Sequence, residues 1–231
     1  MNFTLFGLFP EWTLITKLVV LVLGGMSLFS LYIAAERWFT FYRMSSQSKH
    51  FASVVEELLR DQRYQDAIAK ASEPTYQYSY LARLIAMGLQ EFEGLRARST
   101  RFDPADTIQR TLDRAMYAET LGMREGLAAL ATISSTAPYV GLFGGLLGIG
   151  RNFRAAMEAS GATSGVMAGL SEAMTLTALG VLVSVPAIWA FNYLVDRIEK
   201  FEIQMKNSAA EIVDYCIRQI GVSRGQTNPN A

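Results

Sequence analysis

The fold is decided by two apolar stretches, GLAALATISSTAPYVGLFGGLLGIG (residues 126–150) and GVMAGLSEAMTLTALGVLVSVPAIWAFNYLV (residues 165–195). The first has no formal charge in 25 residues, and the second has one, Glu172, in 31. About 20 apolar residues, rising 1.5 Å each, cross the hydrocarbon core of a bilayer. We therefore predict two transmembrane helices, joined by a turn over residues 151–164.

A third apolar run lies near the N-terminus. Lys17 and Glu36 bracket 18 uncharged residues. The run lacks the basic start and the small-residue cleavage site of a signal peptide, so we interpret it as a retained span. The prediction is a first transmembrane helix over 14–36, preceded by an N-terminal segment, 1–13.

The composition also favours a membrane protein. Only 18% of the residues are charged, against about 25% in soluble domains. The net charge of zero argues against nucleic-acid binding. The sequence has one cysteine, Cys216, and one histidine, His50, and we expect His50 to be solvated. We therefore predict that the protein binds no metal and no cofactor. No catalytic constellation is visible, so the protein is not expected to be an enzyme.

The region 37–125 is polar and reads as a helical, water-facing domain. Apolar residues at helical spacing predict one helix near residues 51–59 and a second from Tyr80 to Leu89. Residues 93–102 are expected to be a loop. Asp103 and Pro104 then predict a helix start, and this helix is expected to run without a break into the second span.

After the third span, residues 196–231 are predicted to extend as a helix and to end in a disordered tail from Gly221. The cationic residues indicate the orientation. Region 37–125 and the tail hold 18 of the 21 Lys and Arg residues. The positive-inside rule makes that side cytoplasmic, so the N-terminus and the 151–164 turn are expected in the periplasm of a Gram-negative cell. The helices of region 50–125 either dock an internal partner or stiffen the assembly.

The second span is rich in small residues spaced four apart. Such faces let membrane helices pack backbone to backbone, most readily inside an oligomer. Pro138 removes a backbone hydrogen bond and can kink the helix. The small residues proposed for packing are Gly141, Gly144, Gly145 and Gly148.

The hydroxyl residues of this span have two open interpretations. Thr132, Ser134, Ser135 and Thr136 are polar enough to touch a wet lumen, or they bond along their own helix.

Glu172 also has two open interpretations. A carboxylate in a membrane span marks a functional site by default. It either lines a hydrated pore or is a structural acid bonded across a subunit interface. Ser171, Thr175 and Ser184 share its broad helical sector, whereas Thr177 lies about 140° away around the helix.

Two motifs carry a resemblance to a known family. The run Ala131-Thr-Ile-Ser-Ser-Thr-Ala-Pro138-Tyr-Val-Gly141-Leu-Phe-Gly144-Gly-Leu-Leu-Gly148-Ile resembles the second-span signature of the ExbB/TolQ proteins, with MotA more distant. Leu170-Ser-Glu172-Ala-Met-Thr-Leu-Thr177-Ala-Leu-Gly180, followed by Val185-Pro186-Ala187 and Phe191-Asn192, resembles their third-span signature.

The resemblance implies an all-α, three-span protein of the bacterial inner membrane. In this family a homopentamer surrounds the spans of two copies of a single-span partner of the ExbD, TolR or MotB kind, whose aspartate carries the proton. Proton flow then drives work on nutrient import, envelope integrity or motility. Carried over to this chain, Glu172 and Thr177 belong to the proton pathway, and Pro138 and Pro186 shape the helices.

One position departs from the family pattern. The second-span signature usually reads Gly-Thr where this chain has Gly144-Gly145. Three interpretations follow: water takes the place of the hydroxyl, Thr132 and Ser135 compensate for it, or the proton path differs from that of the better-known members. The departure supports an alternative function, a non-conducting membrane scaffold that anchors an envelope or motility complex.

Overall fold

The computed structural model describes residues 14–61, 63–97, 104–158 and 162–226. The described residues form helices joined by short connections, with one 3₁₀ turn at Pro74–Tyr76. The predicted N-terminal segment, 1–13, and the predicted cap at Asp103 lie outside them. The helices are α1 (Leu14–Arg60), α2 (Tyr64–Ala71), α3 (Tyr80–Ala97), α4 (Pro104–Arg124), α5 (Leu127–Glu158) and α6 (Ala162–Gln226).

Three helices of the described chain are long and apolar enough to cross a membrane. They are α1, α5 and α6, and the qualifying segments are Leu14–Arg60, Leu127–Met157 and Gly165–Gln219. The prediction of an all-α protein with three membrane-spanning helices is confirmed. The apolar side chains of these three helices lie largely on the outside of the protomer. Examples are Leu21, Phe143 and Trp189. This is expected where lipid or another protein, and not water, covers the helix.

The chain divides into two compact units. The first, the membrane unit, comprises residues up to Glu36 together with Gly126–Leu194, and the second comprises Arg37–Glu125 together with the chain from Val195 onward. In the membrane unit, Val19 and Leu23 of α1 pack with Ala137 of α5 and Leu176 of α6. The polar region expected between the first two spans is therefore a separate unit.

The second unit has its own aromatic and aliphatic core. Phe51, Leu84, Leu112 and Ile198 are almost completely buried. The two amphipathic patterns read from the sequence therefore do point their apolar faces inward. Tyr80 joins this core, and its hydroxyl donates to Oε1 of Gln204 at 2.6 Å.

Two sequence expectations for the connections are wrong. Residues predicted as turn after the second span are helical, since α5 continues to Glu158 and α6 begins at Ala162. The predicted loop over 93–102 begins later, because α3 continues to Ala97. In both segments Ala, Arg, Met and Glu are good helix formers, and their lack of apolar periodicity hid this preference. Likewise α6 continues to Gln226 into the predicted disordered tail, of which residues 227–231 lie outside the described residues.

The expected continuous helix from α4 into α5 is interrupted. Helix α4 ends at Arg124, and Gly126 has a φ of 76°, in the left-handed region that glycine adopts without steric cost. The guanidinium of Arg37 donates to the carbonyl oxygen of Gly122 at 3.1 Å and lies 3.3 Å from the carboxylate of Glu125. One otherwise free carbonyl at the end of α4 is thus satisfied.

We expect Gly126→Ala to lower the free energy of unfolding by about 1 kcal/mol, because an L-residue is strained at this φ. Thermal unfolding of the detergent-purified protein measures the change. Gly94→Ala is the matched control, since a methyl group there meets no neighbouring atom and improves helix propensity. Equal shifts for the two variants would contradict the assignment of Gly126 as a helix stop.

Candidate functional site

Glycines bring α5 and α6 into backbone contact. A Cβ atom on Gly141 would overlap the carbonyl oxygen of Leu176, and one on Gly180 would lie 2.6 Å from the carbonyl oxygen of Ala137. A Cβ on Gly145 would lie 2.9 Å from the carbonyl oxygen of Ala173. Real Cβ atoms essentially never come this close, so the three positions need glycine for this packing. The packing also leaves no space for a threonine at Gly145.

Two further glycines of α5 face other neighbours. Gly144 lies against Val19 of α1, whose Cγ1 would be 2.8 Å from an added Cβ. Gly148 faces the side chain of Glu172, and there an added Cβ would be at ordinary contact distance, 3.6 Å from the carboxyl carbon. Helix α5 therefore contacts α6 through Gly141, Gly145 and Gly148, and it contacts α1 through Gly144.

Pro138 creates a polar contact between α5 and α6. A proline at this position cannot donate to the carbonyl oxygen of Ser134, four residues earlier. The hydroxyl of Ser184, on α6, donates to that oxygen at 2.6 Å. A side chain of the neighbouring helix thus replaces the lost backbone donor, as membrane helices with internal prolines require. Pro186 lies inside α6 and is exposed on the protomer.

Glu172 is held inside the membrane unit, with 13% of its side chain exposed. Thr16, on α1, donates its hydroxyl hydrogen to Oε1. From α5, Asn152 Nδ2 donates to Oε2 at 3.2 Å, and Nη2 of Arg151 lies 3.7 Å from the same oxygen. We call these four residues the Glu172 cluster. It joins all three membrane helices around one carboxylate.

The other proposed pathway residues bond along their own helices. Thr132 donates to the carbonyl oxygen of Ala128 at 2.8 Å, and Ser135 donates to that of Ala131 at 3.0 Å. Thr177 donates to the carbonyl oxygen of Ala173 at 2.9 Å. Thr132 and Ser135 are exposed on the protomer, and Thr177 is half-buried.

The structure does not bring Thr132 and Ser135 to Glu172. Gly148 is the residue of α5 that lies opposite Glu172, and Thr132 lies 16 residues earlier on the same helix. At 1.5 Å per residue this corresponds to roughly 24 Å along the helix axis. The two hydroxyls therefore do not supply a hydrogen-bond donor to the carboxylate.

The single histidine and the single cysteine lie in the second unit. His50 is exposed, as expected, and its Nδ1 lies 2.8 Å from the hydroxyl oxygen of Tyr76. Burial raises the pKa of the Cys216 thiol to about 12, which keeps it unreactive at neutral pH. No cluster of three metal-ligating side chains occurs among the described residues.

Sequence reasoning missed Thr16, Arg151 and Asn152. The sequence predicts Arg151 and Asn152 in a turn, which gives their side chains no predicted direction. Thr16 lies in a run that the sequence marks only as apolar, although a hydroxyl in a membrane span is itself a signal of a polar partner.

A three-span membrane bundle with a buried carboxylate between its helices is therefore the class that the structure defines. The model of the MotA/TolQ/ExbB proton channel family matches residues 77–207, more than half of the chain. The chain belongs to this family, and it is an inner-membrane protein of the proton-channel class.

Similar proteins carry two names. The chain is 31% identical over 130 residues to the biopolymer transport protein ExbB of Pseudomonas putida, covering 56% of this chain and 37% of that protein. It is 32% identical over 142 residues to the Tol-Pal system protein TolQ of Haemophilus influenzae, covering 59% and 61%. It is 36% identical over 126 residues to TolQ of Pseudomonas aeruginosa, covering 52% and 54%. The matches thus span from about a third to three-fifths of the relatives' length.

Proposed function

We propose that this protein is the channel subunit of a complex that converts proton motive force into mechanical work across the cell envelope. It acts with a single-span partner of the ExbD, TolR or MotB kind, whose aspartate carries the proton. The observation that carries the proposal is the Glu172 cluster, because a carboxylate inside a membrane bundle is costly unless it serves ion passage or holds helices together.

The packing of the membrane helices supports an oligomer around such a partner. Large apolar side chains face outward on all three helices, including Leu18, Tyr139 and Leu182. A homopentamer is the arrangement that we propose, with the N-terminus in the periplasm and the C-terminus in the cytoplasm. In this arrangement Glu172, Thr177, Thr132 and Ser135 face the proton path. The second unit, including 50–125, is then free to dock a cytoplasmic partner.

The identity of the partner determines which process the complex drives. The relatives named biopolymer transport protein and Tol-Pal system protein suggest import or envelope integrity, and surface or flagellar motility is the third possibility. The periplasmic domain of the partner decides between these tasks.

A non-conducting scaffold is the second candidate function, and two observations favour it. Gly145 has no hydroxyl and lies against Ala173. The oxygens of Glu172 are already satisfied by donors of the same protomer, as in a structural acid. In this role the protein anchors an envelope or motility complex without passing protons.

Co-purification distinguishes the two functions. The tagged protein is extracted from native membranes in mild detergent, and the proteins that accompany it are identified by mass spectrometry. We expect a small single-span protein with an aspartate in its span. Recovery of the protein alone, or with only soluble proteins, would favour the scaffold.

A further inference from the structure

We propose that Thr16 and Arg151 are positioning residues that hold the Glu172 carboxylate in the orientation used for proton transfer. This inference rests on the proposed function. It assigns to the first membrane helix a role at the carboxylate, and it adds two residues to the site.

The hydroxyl of Thr16 bonds differently from those of the three threonine and serine residues proposed for the proton pathway. Thr132, Ser135 and Thr177 donate to carbonyl oxygens of their own helices. Thr16 donates instead to Glu172, which lies 156 residues away in the chain, and Thr16 is only 1% exposed. A buried hydroxyl must find a partner, and here the partner is the carboxylate. The bond therefore fixes one carboxylate oxygen against α1.

The second oxygen is fixed from α5. Asn152 and Arg151 both approach Oε2. The position of Asn152 is set by close packing, because a Cβ on Gly169 would lie 2.7 Å from the Cβ of Asn152. Arg151 is 40% exposed and can move, whereas Glu172 and Thr16 are enclosed. The carboxylate is thus held by two rigid donors and one movable cation.

In the contacts observed, each of the three partners directs a hydrogen atom or a positive charge at the Glu172 carboxylate. An ionised carboxylate only accepts hydrogen bonds, whereas a protonated one must also donate. Helix α1 contributes Thr16 and helix α5 contributes Asn152 and Arg151. Among the described residues, Arg151 is the cation whose ion pair reaches this carboxylate. The ion pair with Arg151 and the hydrogen bonds from Thr16 and Asn152 together fix the orientation of the carboxylate.

Proton flux in membrane vesicles tests the roles of both residues. Vesicles are prepared from cells that express the protein with its native complex, and acidification is followed with a pH-sensitive dye. Thr16→Val and Arg151→Gln are each expected to lower the flux on the order of tenfold, since each removes a hydrogen bond or ion pair to a charged group. Thr16→Ser and Arg151→Lys retain the hydroxyl or the charge and are expected to keep more than half of the flux.

A double-mutant cycle on the purified protein tests the contacts without relying on conduction. Thermal unfolding is compared for Arg151→Gln, Glu172→Gln and the double variant, and likewise with Thr16→Val. We expect each pair to be non-additive, because the second substitution removes a contact that the first has already broken. Additive effects would mean that the contacts do not stabilise the protein, and would overturn the proposal.

The outcomes separate this inference from the proposed function. If the wild-type vesicles show no flux, the proposed function fails, and this inference fails with it. If the wild type conducts, Glu172→Gln does not, and Thr16→Val and Arg151→Gln conduct normally, only the positioning role is overturned. The positioning role is also contradicted if Thr16→Ser and Arg151→Lys lose as much flux as Thr16→Val and Arg151→Gln. Equal losses would mean that any substitution at these positions disrupts the fold, whether or not the hydroxyl or the charge is retained.

Discussion

Replacement of Glu172 by glutamine is expected to lower proton-driven activity by at least about 100-fold, because an amide cannot take up and release a proton in the way that a carboxyl group does. The same vesicle acidification assay measures this loss. Glutamine has nearly the shape of glutamate, but it removes the negative charge that pairs with Arg151, and the guanidinium has no acceptor for the hydrogens of the new amide. A mild loss of stability, about 1–3 kcal/mol, is therefore expected alongside the loss of activity.

The appropriate control is Glu211→Gln, an exposed position further along the same helix α6. It removes the same charge from the chain but is expected to leave proton flux unchanged. Glu172→Asp keeps the titratable group on a shorter side chain and is expected to retain part of the activity. An assembled Glu172→Gln complex with normal activity would refute a proton-carrying role and leave Glu172 as a structural acid.

Gly141→Ala is expected to destabilise the membrane unit by about 1–3 kcal/mol and to reduce the yield of assembled protein. The added methyl group would overlap the backbone of α6 at Leu176 and Gly180, and backbone atoms cannot move aside as a flexible side chain can. Thermal unfolding and size-exclusion chromatography in detergent measure the two effects.

Gly150→Ala provides the matched comparison on the same helix α5. A methyl group at Gly150 meets no neighbouring atom, and alanine is favoured over glycine in a helix by about 1 kcal/mol. We expect Gly150→Ala to leave stability unchanged or to raise it. Similar losses in both variants would show that the two glycines are needed for helix flexibility, and not for the contact between α5 and α6.

The sequence predicts the three spans because hydrophobic length is a strong and local signal. The two glycine lines are also readable, since small residues four apart share a helix face. The sequence does not indicate whether a given small residue contacts the backbone of a neighbouring helix or faces open space. Gly145 and Gly150 look alike in the sequence, yet one lies against Ala173 and the other is open.

The partners of Glu172 depend on where the hairpin between α5 and α6 turns. In an antiparallel hairpin, contacting residues are nearly equidistant from the turn. The predicted turn, 151–164, is centred near residue 157 and would place Glu172 opposite residue 143. The helices instead end at Glu158 and resume at Ala162, so that Glu172 faces Gly148, with Arg151 and Asn152 one helical turn away. A shift of a few residues at a weakly marked connection therefore hid the site.

The break at Gly126 was hidden for a similar reason. The residues around it favour helix on both sides, and a lone glycine in such a sequence is usually tolerated. What stops the helix is a tertiary contact, the binding of Arg37 to the end of α4, together with the φ that glycine permits. Neither is visible in local propensity.

The hydroxyls that bond along their own helices have an electrostatic consequence. Thr132, Ser135 and Thr177 use their hydrogens on carbonyl oxygens one turn back, so each hydroxyl oxygen shows the outside only its lone pairs. A water chain beside such side chains meets acceptors and no donors. These acceptors would stabilise hydronium and disfavour hydroxide or chloride. The cation selectivity contributed by this protein would then arise from helix geometry, with Glu172 as its acidic side chain in the path.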